Sequence, residues 1–257
     1  MEKLSDKNDG NIVKRRQDIM DSLFIVMPAY NEESNIEFVV RQWYKILEGK
    51  GVCSRLVVAD SGSFDRTHEI LVRLQKELDH LEILSNTDRQ HGPKVIALYD
   101  YAIAQGADYV FQTDSDGQTN PDEFDTFWQM RSKYDGIFGN RNAREDGSSR
   151  IFVEWVVCFL IKLYFGVKVP DANAPFRLMK TDVVKKYLYK LSSDYNIPNI
   201  MMTTYFVYYN ERTAFKTISF KQRRGGENSI DILKIMKIGW KALEDFRMLK
   251  REMISDE

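Results

Sequence analysis

Residues 111–124 read FQTDSDGQTNPDEF. An apolar run ends here on Asp114 and Asp116, one residue apart, and Gly117 and Gln118 follow. Two carboxylates this close repel each other. Either they are solvated on an exposed acidic turn, or a cation sits between them. The fold decides which, because the fold decides where this turn lies.

The flanking sequence supplies that fold. LFIVMPAYNE (23–32) is a short apolar run stopped at Pro28, a buried strand running into a loop. NIEFVVRQWYKILEGKG (35–51) has apolar residues at Ile36, Val39, Val40, Trp43 and Ile46–Leu47, the spacing of a helix closed by Gly49 and Gly51. RLVVAD (55–60) and LEILSN (81–86) read as strands, with an amphipathic helix in DRTHEILVRLQKEL (65–78) between them. PKVIALYDYAIAQG (93–106) is a third helix and DYVFQTD (108–114) a fourth strand. PDEFDTFWQMRSKY (121–134) begins a helix on Pro121, and GIFGNR (136–141) is a fifth strand.

Strands and helices alternating at this pace predict an α/β fold, a doubly wound, mostly parallel sheet. Ligands bind such sheets at the carboxyl ends of the strands. PAYNEE (28–33), ADSGSFD (59–65) and TDSDGQ (113–118) all lie at such ends and are expected to converge on one crevice. The Asp114–Asp116 turn then falls where a ligand belongs. A nucleoside diphosphate with Mg2+ or Mn2+ accounts for the pair, because hard cations take carboxylate and phosphate oxygens. Gln118 is placed to add a carbonyl oxygen, and Glu32 and Asp60 suit ribose hydroxyls and a base N–H. No G-x-G-x-x-G follows the first strand and no G-x-x-x-x-G-K-[ST] occurs, which argues against dinucleotide and P-loop sites. His68, His80 and His91 are scattered and read as solvated or structural, although His91 falls in a loop near the crevice.

Composition narrows the class. The 257 residues carry a net charge of -1, which gives no global field for nucleic acid. Cys53 and Cys158 form neither a metal-type spacing nor a disulfide framework, as expected in a reducing compartment. Residues 1–21 read as a charged, disordered leader without the apolar core of a secretory signal. IFVEWVVCFLIKLYFGVKV (151–169) is apolar but interrupted by Glu154 and Lys162. A charge near the middle of a spanning helix costs about 2.5–3.5 kcal/mol, so this segment reads as a buried or interfacial helix. Residues 226–257 predict an amphipathic helical extension, with Ile232, Trp240 and Phe246 on one stripe and Lys234, Lys237 and Lys241 opposite. The expectation is one domain over 22–225, lying at the cytoplasmic face of a membrane, with a homodimer or a membrane-protein partner both compatible.

VMPAYNEESNI (26–36), VVADSGSFDRT (57–67) and QTDSDGQTNPDEF (112–124) together resemble the signature stretches of the family 2 glycosyltransferases, which have the GT-A fold. The resemblance implies that Pro28, Tyr30, Glu32, Asp60 and Lys94 bind the nucleoside, and that Asp114, Ser115 and Asp116 bind metal and sugar-nucleotide diphosphate. The second half is similar to the polyprenyl-phosphate sugar synthases, the dolichol-phosphate mannose synthase group. VPDANAPFRLMKTDVV (169–184), ISFKQRRGGENSI (218–230) and FGNR (138–141) carry that likeness. It implies phosphate contacts from Arg141, Arg177 and Arg223 or Arg224, which suits the two-pronged guanidinium. The chain departs from the pattern at Ser61, at Ala174–Pro175 and at Asn228–Ser229.

The implied reaction is inverting sugar transfer from a UDP- or GDP-sugar to a lipid phosphate at a membrane surface. The alternative is transfer to a hydroxyl of a lipid-linked or surface glycan. A hydroxyl must lose its proton to a base; Asp171 is the candidate for that case. An ionised phosphate needs none. A nucleotide-sugar-binding protein without turnover is the third reading, and the intact Asp114–Asp116 pair counts against it.

Overall fold

A computed structural model describes residues 21–144, 148–221, 246–247 and 249–251. The first strand, β1 (Leu23–Ala29), is buried along its whole length. It pairs in parallel with β2 (Arg55–Asp60) on one side and β4 (Tyr109–Thr113) on the other, and β3 (Leu81–Leu84) extends the sheet beyond β2. A strand covered on both faces reads as a continuous apolar run, which is why these segments lack polar alternation. Period-two packing still operates: Phe24 and Val26 enter one core, and Leu23, Ile25 and Met27 enter the other.

Helices cover both faces. α1 (Ile36–Tyr44) buries Ile36, Val39, Val40 and Trp43, the residues its spacing predicts. α2 (Thr67–Gln75), α3 (His91–Ala104) and α4 (Phe124–Met130) follow the next strands. Pro121 opens a short 3-10 turn ahead of α4. Beneath the Asp114–Asp116 turn, Phe111 packs edge-on against Phe176 at 4.7 Å and Phe124 at 5.0 Å, fixing the floor of the crevice.

The far half departs from a simple parallel sheet. β5 (Gly136–Arg144) does not lie beside β4. The strand β6 (Phe176–Lys180) comes between them and is antiparallel to both, and β7 (Thr213–Phe220) pairs in parallel with β5. The seven-strand order is β3-β2-β1-β4-β6-β5-β7. The sequence reading missed β6 and β7 as strands. FRLMK is five residues, buried but for the last, so it shows no period that tells a strand from a loop. Three more helices follow among the described residues: α5 (Ser148–Phe165), α6 (Thr181–Leu188) and α7 (Pro198–Tyr208). The expected leader and Arg223, Arg224 and most of the 226–257 extension lie outside the described residues. Of that extension, Phe246 packs edge-on against Phe165 at 5.3 Å.

Candidate active site

The carboxyl ends of β1 and β4 meet over a cleft of about 260 Å³. Pro28, Tyr30 and Glu32 border it from β1 and its loop, Lys94 from α3, and Asp114, Ser115 and Asp116 from the turn after β4. Gly117 turns the chain there with φ of 73°, a conformation only glycine adopts without strain. The Ser115 hydroxyl donates to the Pro28 carbonyl at 2.8 Å, tying the turn to β1. Lys94 is 1% exposed, and its ammonium donates to the Ala29 carbonyl at 2.6 Å, 5.2 Å from the Tyr30 ring centre. Burial lowers its pKa, with the charges of Asp60 and Asp88 opposing. Glu32 is buried and accepts from the Asn35 side chain at 2.9 Å.

Among the described residues no three His, Cys, Asp or Glu side chains cluster as a complete metal site. The two cleft carboxylates nevertheless suit a Mg2+-type cation. Such an ion uses one or two carboxylates and takes its remaining oxygens from phosphate and water. The Gln118 side-chain amide donates to the Lys221 carbonyl at 2.7 Å, and the Gln118 backbone carbonyl accepts from the Lys221 N–H at 2.9 Å. These two bonds clamp the turn to the end of β7. Asp60 ends β2 but does not border the cleft; Ser63 donates to it and His68 lies 3.1 Å away.

A second cluster lies where β5 and α5 meet. Arg141 grips Asp171 with two prongs, Nε to Oδ2 at 2.7 Å and Nη2 to Oδ1 at 2.8 Å. Its Nη2 also donates to Glu154 at 3.2 Å. Among the described residues nothing accepts from its Nη1. Burial pushes the Asp171 pKa up, but the hydrogen bonds and charge of Arg141 outweigh it and hold the carboxyl below its ordinary range. Glu154 moves the other way, raised by burial and by the charge of Asp171.

Arg177 contrasts with Arg141. It is 1% exposed, and each of its five N–H groups has an acceptor: Ala174 O twice, Asn199 O, Ala172 O and the Thr203 hydroxyl. This corrects the expected phosphate contact, because no donor is left over. Its role is one layer back. Arg177 holds the Asn199 carbonyl, Asn199 donates to Gln112 at 3.1 Å, and Gln112 donates to Asp114 at 3.2 Å. The β4–β6 register, Gln112 opposite Arg177, builds that chain of bonds.

Residues 24–188 match the model of Glycosyl transferase family 2. The chain belongs to that family. The chain is 28% identical to an uncharacterized glycosyltransferase of Synechocystis sp., over 63% of this chain and 51% of that one. It is 23% identical to the undecaprenyl-phosphate 4-deoxy-4-formamido-L-arabinose transferase of Shewanella sediminis, over 95% of this chain and 72% of that one. The transferase of the same name from Pseudomonas paraeruginosa is 24% identical, over 66% of this chain and 50% of that one. The chain thus spans about half the length of two of these relatives. Among solved structures, the Mycobacterium tuberculosis glucosyl-3-phosphoglycerate synthase with Mn2+, UDP-glucose and phosphoglyceric acid superposes with a TM-score of 0.61 at 17% identity, covering 85% of this chain and 76% of that one. S. aureus TarS with UDP-GlcNAc gives 0.55 at 17% identity, over 84% and 65%. These neighbours share the GT-A fold expected from the sequence.

Within the family 2 domain, sequence reasoning gave no role to Glu154 or Arg89 near these clusters and placed His91 only in a loop near the crevice. Glu154 was read only as a charge interrupting an apolar helix, yet it links α5 to Arg141 and accepts from the Ala172 N–H at 2.8 Å. A lone carboxylate in an apolar helix was the available signal. His91 borders the cleft with Nε2 3.3 Å from Asp114. Arg89 also borders it and packs against Gly62, where a β-carbon would meet the Arg89 side chain at 2.6 Å.

Proposed function

We propose that this chain transfers a sugar from a nucleoside-diphosphate sugar to a polyprenyl phosphate, with inversion and with help from Mg2+ or Mn2+. One observation carries the choice of acceptor: the Asp171 carboxylate is spent on Arg141. A carboxylate held ionised by a bidentate guanidinium is a poor base, so Asp171 is not suited to take the proton of a hydroxyl acceptor. A phosphate acceptor is already ionised near neutral pH and needs none. The undecaprenyl-phosphate transferases among the relatives support the same acceptor class, and the UDP and Mn2+ complexes of the structural neighbours support the donor and the metal.

In this reading Tyr30, Glu32 and Lys94 hold the nucleoside end of the donor. Asp114 and Asp116 hold the cation, which when bound offsets the charge of the departing diphosphate. The Nη1 of Arg141 contacts a phosphate oxygen, and Asp171 and Glu154 orient that guanidinium. Arg177 keeps Asp114 in place from below. Arg223 and Arg224 remain proposed phosphate contacts from outside the described residues.

The test offers labelled UDP- and GDP-sugars with undecaprenyl phosphate, with and without Mg2+ or Mn2+, and scores extraction of label into a lipid phase. A metal-dependent lipid product supports the reading. Label moving only to glycan hydroxyls moves the assignment to the alternative acceptor.

A further inference from the structure

His91 is the first residue of α3 and faces the acidic turn after β4 across the cleft. Its Nε2 lies 3.3 Å from Asp114 Oδ1, and its side chain is 55% exposed. That separation is longer than the roughly 2.7–3.2 Å of an ordinary N–H···O bond. It is close to the spacing of two neighbouring ligands on one octahedral cation. Ligand atoms at about 2.1 Å from an ion, set at a right angle, stand about 3.0 Å apart.

Both members of the pair are held from behind. A β-carbon on Gly92 would meet the Tyr195 carbonyl oxygen at 2.4 Å and that of Asn196 at 2.5 Å, so the first turn of α3 sits directly on that backbone. Lys94, in the same turn, donates to the Ala29 carbonyl at 2.6 Å. Just ahead of the helix, the Gln90 N–H donates to the Asp88 carboxylate at 2.7 Å. On the other wall, the Gln112 amide donates to Asp114 at 3.2 Å. Side chains carried on braced elements hold a coordination geometry better than side chains on loops do.

Ligand chemistry then separates the ions. Mg2+ dehydrates reluctantly and is usually held by carboxylates, phosphate oxygens and water. An imidazole nitrogen suits transition metals instead.

We propose that His91 is a direct nitrogen ligand of the cation held at the Asp114–Asp116 turn, and that it makes the site prefer Mn2+ over Mg2+. The inference rests on the nucleotide-sugar reading and deepens it by naming the ion. Asp114 supplies the neighbouring oxygen, and Asp116 borders the same cleft. These three side chains do not close a site by themselves, so phosphate oxygens and water take the remaining positions.

The experiment uses the full chain with Mn2+ and either UDP or GDP. In the wild type, electron spin-echo modulation of the bound Mn2+ is expected to show a directly bonded nitrogen, and its frequency is expected to change when the chain is made with isotopically labelled histidine. His91→Gln keeps an amide N–H for Asp114 but has no ring nitrogen. That variant is expected to lose the modulation. Its ratio of Mn2+ to Mg2+ affinity, read from the signal of free Mn2+ and by Mg2+ competition, is expected to fall at least about tenfold, the scale on which single residues tune a metal site. Bound Mn2+ without histidine modulation in the wild type overturns the inference and leaves the Asp114–Asp116 cation in place. A His91→Gln variant with the wild-type preference makes His91 a hydrogen-bonded brace for Asp114 and also overturns it. A wild type that binds Mn2+ with neither nucleotide contradicts the functional reading, and the inference with it.

Discussion

The two polar clusters use the same residue types in opposite ways. On the β1–β4 side, Asp114 and Asp116 border an open cleft, and the turn that carries them is braced by backbone contacts from Ser115 and Gln118. On the β5–β6 side, Asp171 and Arg177 are buried and hydrogen-bonded inside the protein, and among the described residues nothing accepts from the Nη1 of Arg141. The difference teaches that residue type does not separate a side chain that borders the cleft from a brace; its place and its partners do. Asp114 and Asp116 border the cleft, whereas Arg177 has an acceptor for each of its N–H groups inside the fold.

Substitutions on the two sides should therefore fail differently. The largest effect is expected from Arg177→Met, which strips the Ala174 carbonyl of its donors and weakens the hold on Asn199. Urea unfolding should show a loss of about 3 kcal/mol, the cost of buried polar groups left unmatched. Normal stability with lost diphosphate binding would return Arg177 to the phosphate site. Asp116→Ala should instead leave stability within about 0.5 kcal/mol and lower transfer by about 100-fold or more, the scale of a lost electrostatic contact at a reacting centre. A large fall in stability would make the carboxylate pair structural.

Asp171→Asn is the sharper probe of the closed side. Its rate loss should be about tenfold or less, against about 10²–10⁴-fold for a true general base. The same variant has a signed pH effect. The folded pKa of Asp171 is depressed, so its stabilisation is complete above the ordinary carboxylate range and fades as pH falls through the folded value. Acid unfolding of wild type should therefore be steeper than that of Asp171→Asn, and equal slopes would remove the Arg141 pairing. The smallest effect is expected from Gln118→Ala: about 1 kcal/mol of stability with Mn2+ affinity unchanged. A tenfold loss of Mn2+ affinity would make Gln118 a ligand.

The open side was legible because strand ends, turn glycines and carboxylates fall within short windows around Pro28, Asp60 and Asp114. Spacing does not reveal that Ser63 and His68 contact the Asp60 carboxylate. The closed side was less legible because its chemistry is made by strand order. β6 enters between β4 and β5, and this register alone sets Arg177 opposite Gln112. Glu154 is 17 residues before Asp171 in sequence and joins it only through the shared Arg141.

The account turns on an acceptor that arrives already ionised. One labelled nucleotide sugar offered to polyprenyl phosphate and, in parallel, to the matching polyprenol tests this most directly, because the two acceptors differ only in the phosphate. Label should pass to the phosphate lipid alone, at a rate without a limb that titrates as a carboxylate. Comparable transfer to the polyprenol would show that the crevice holds a working base, and would contradict the account.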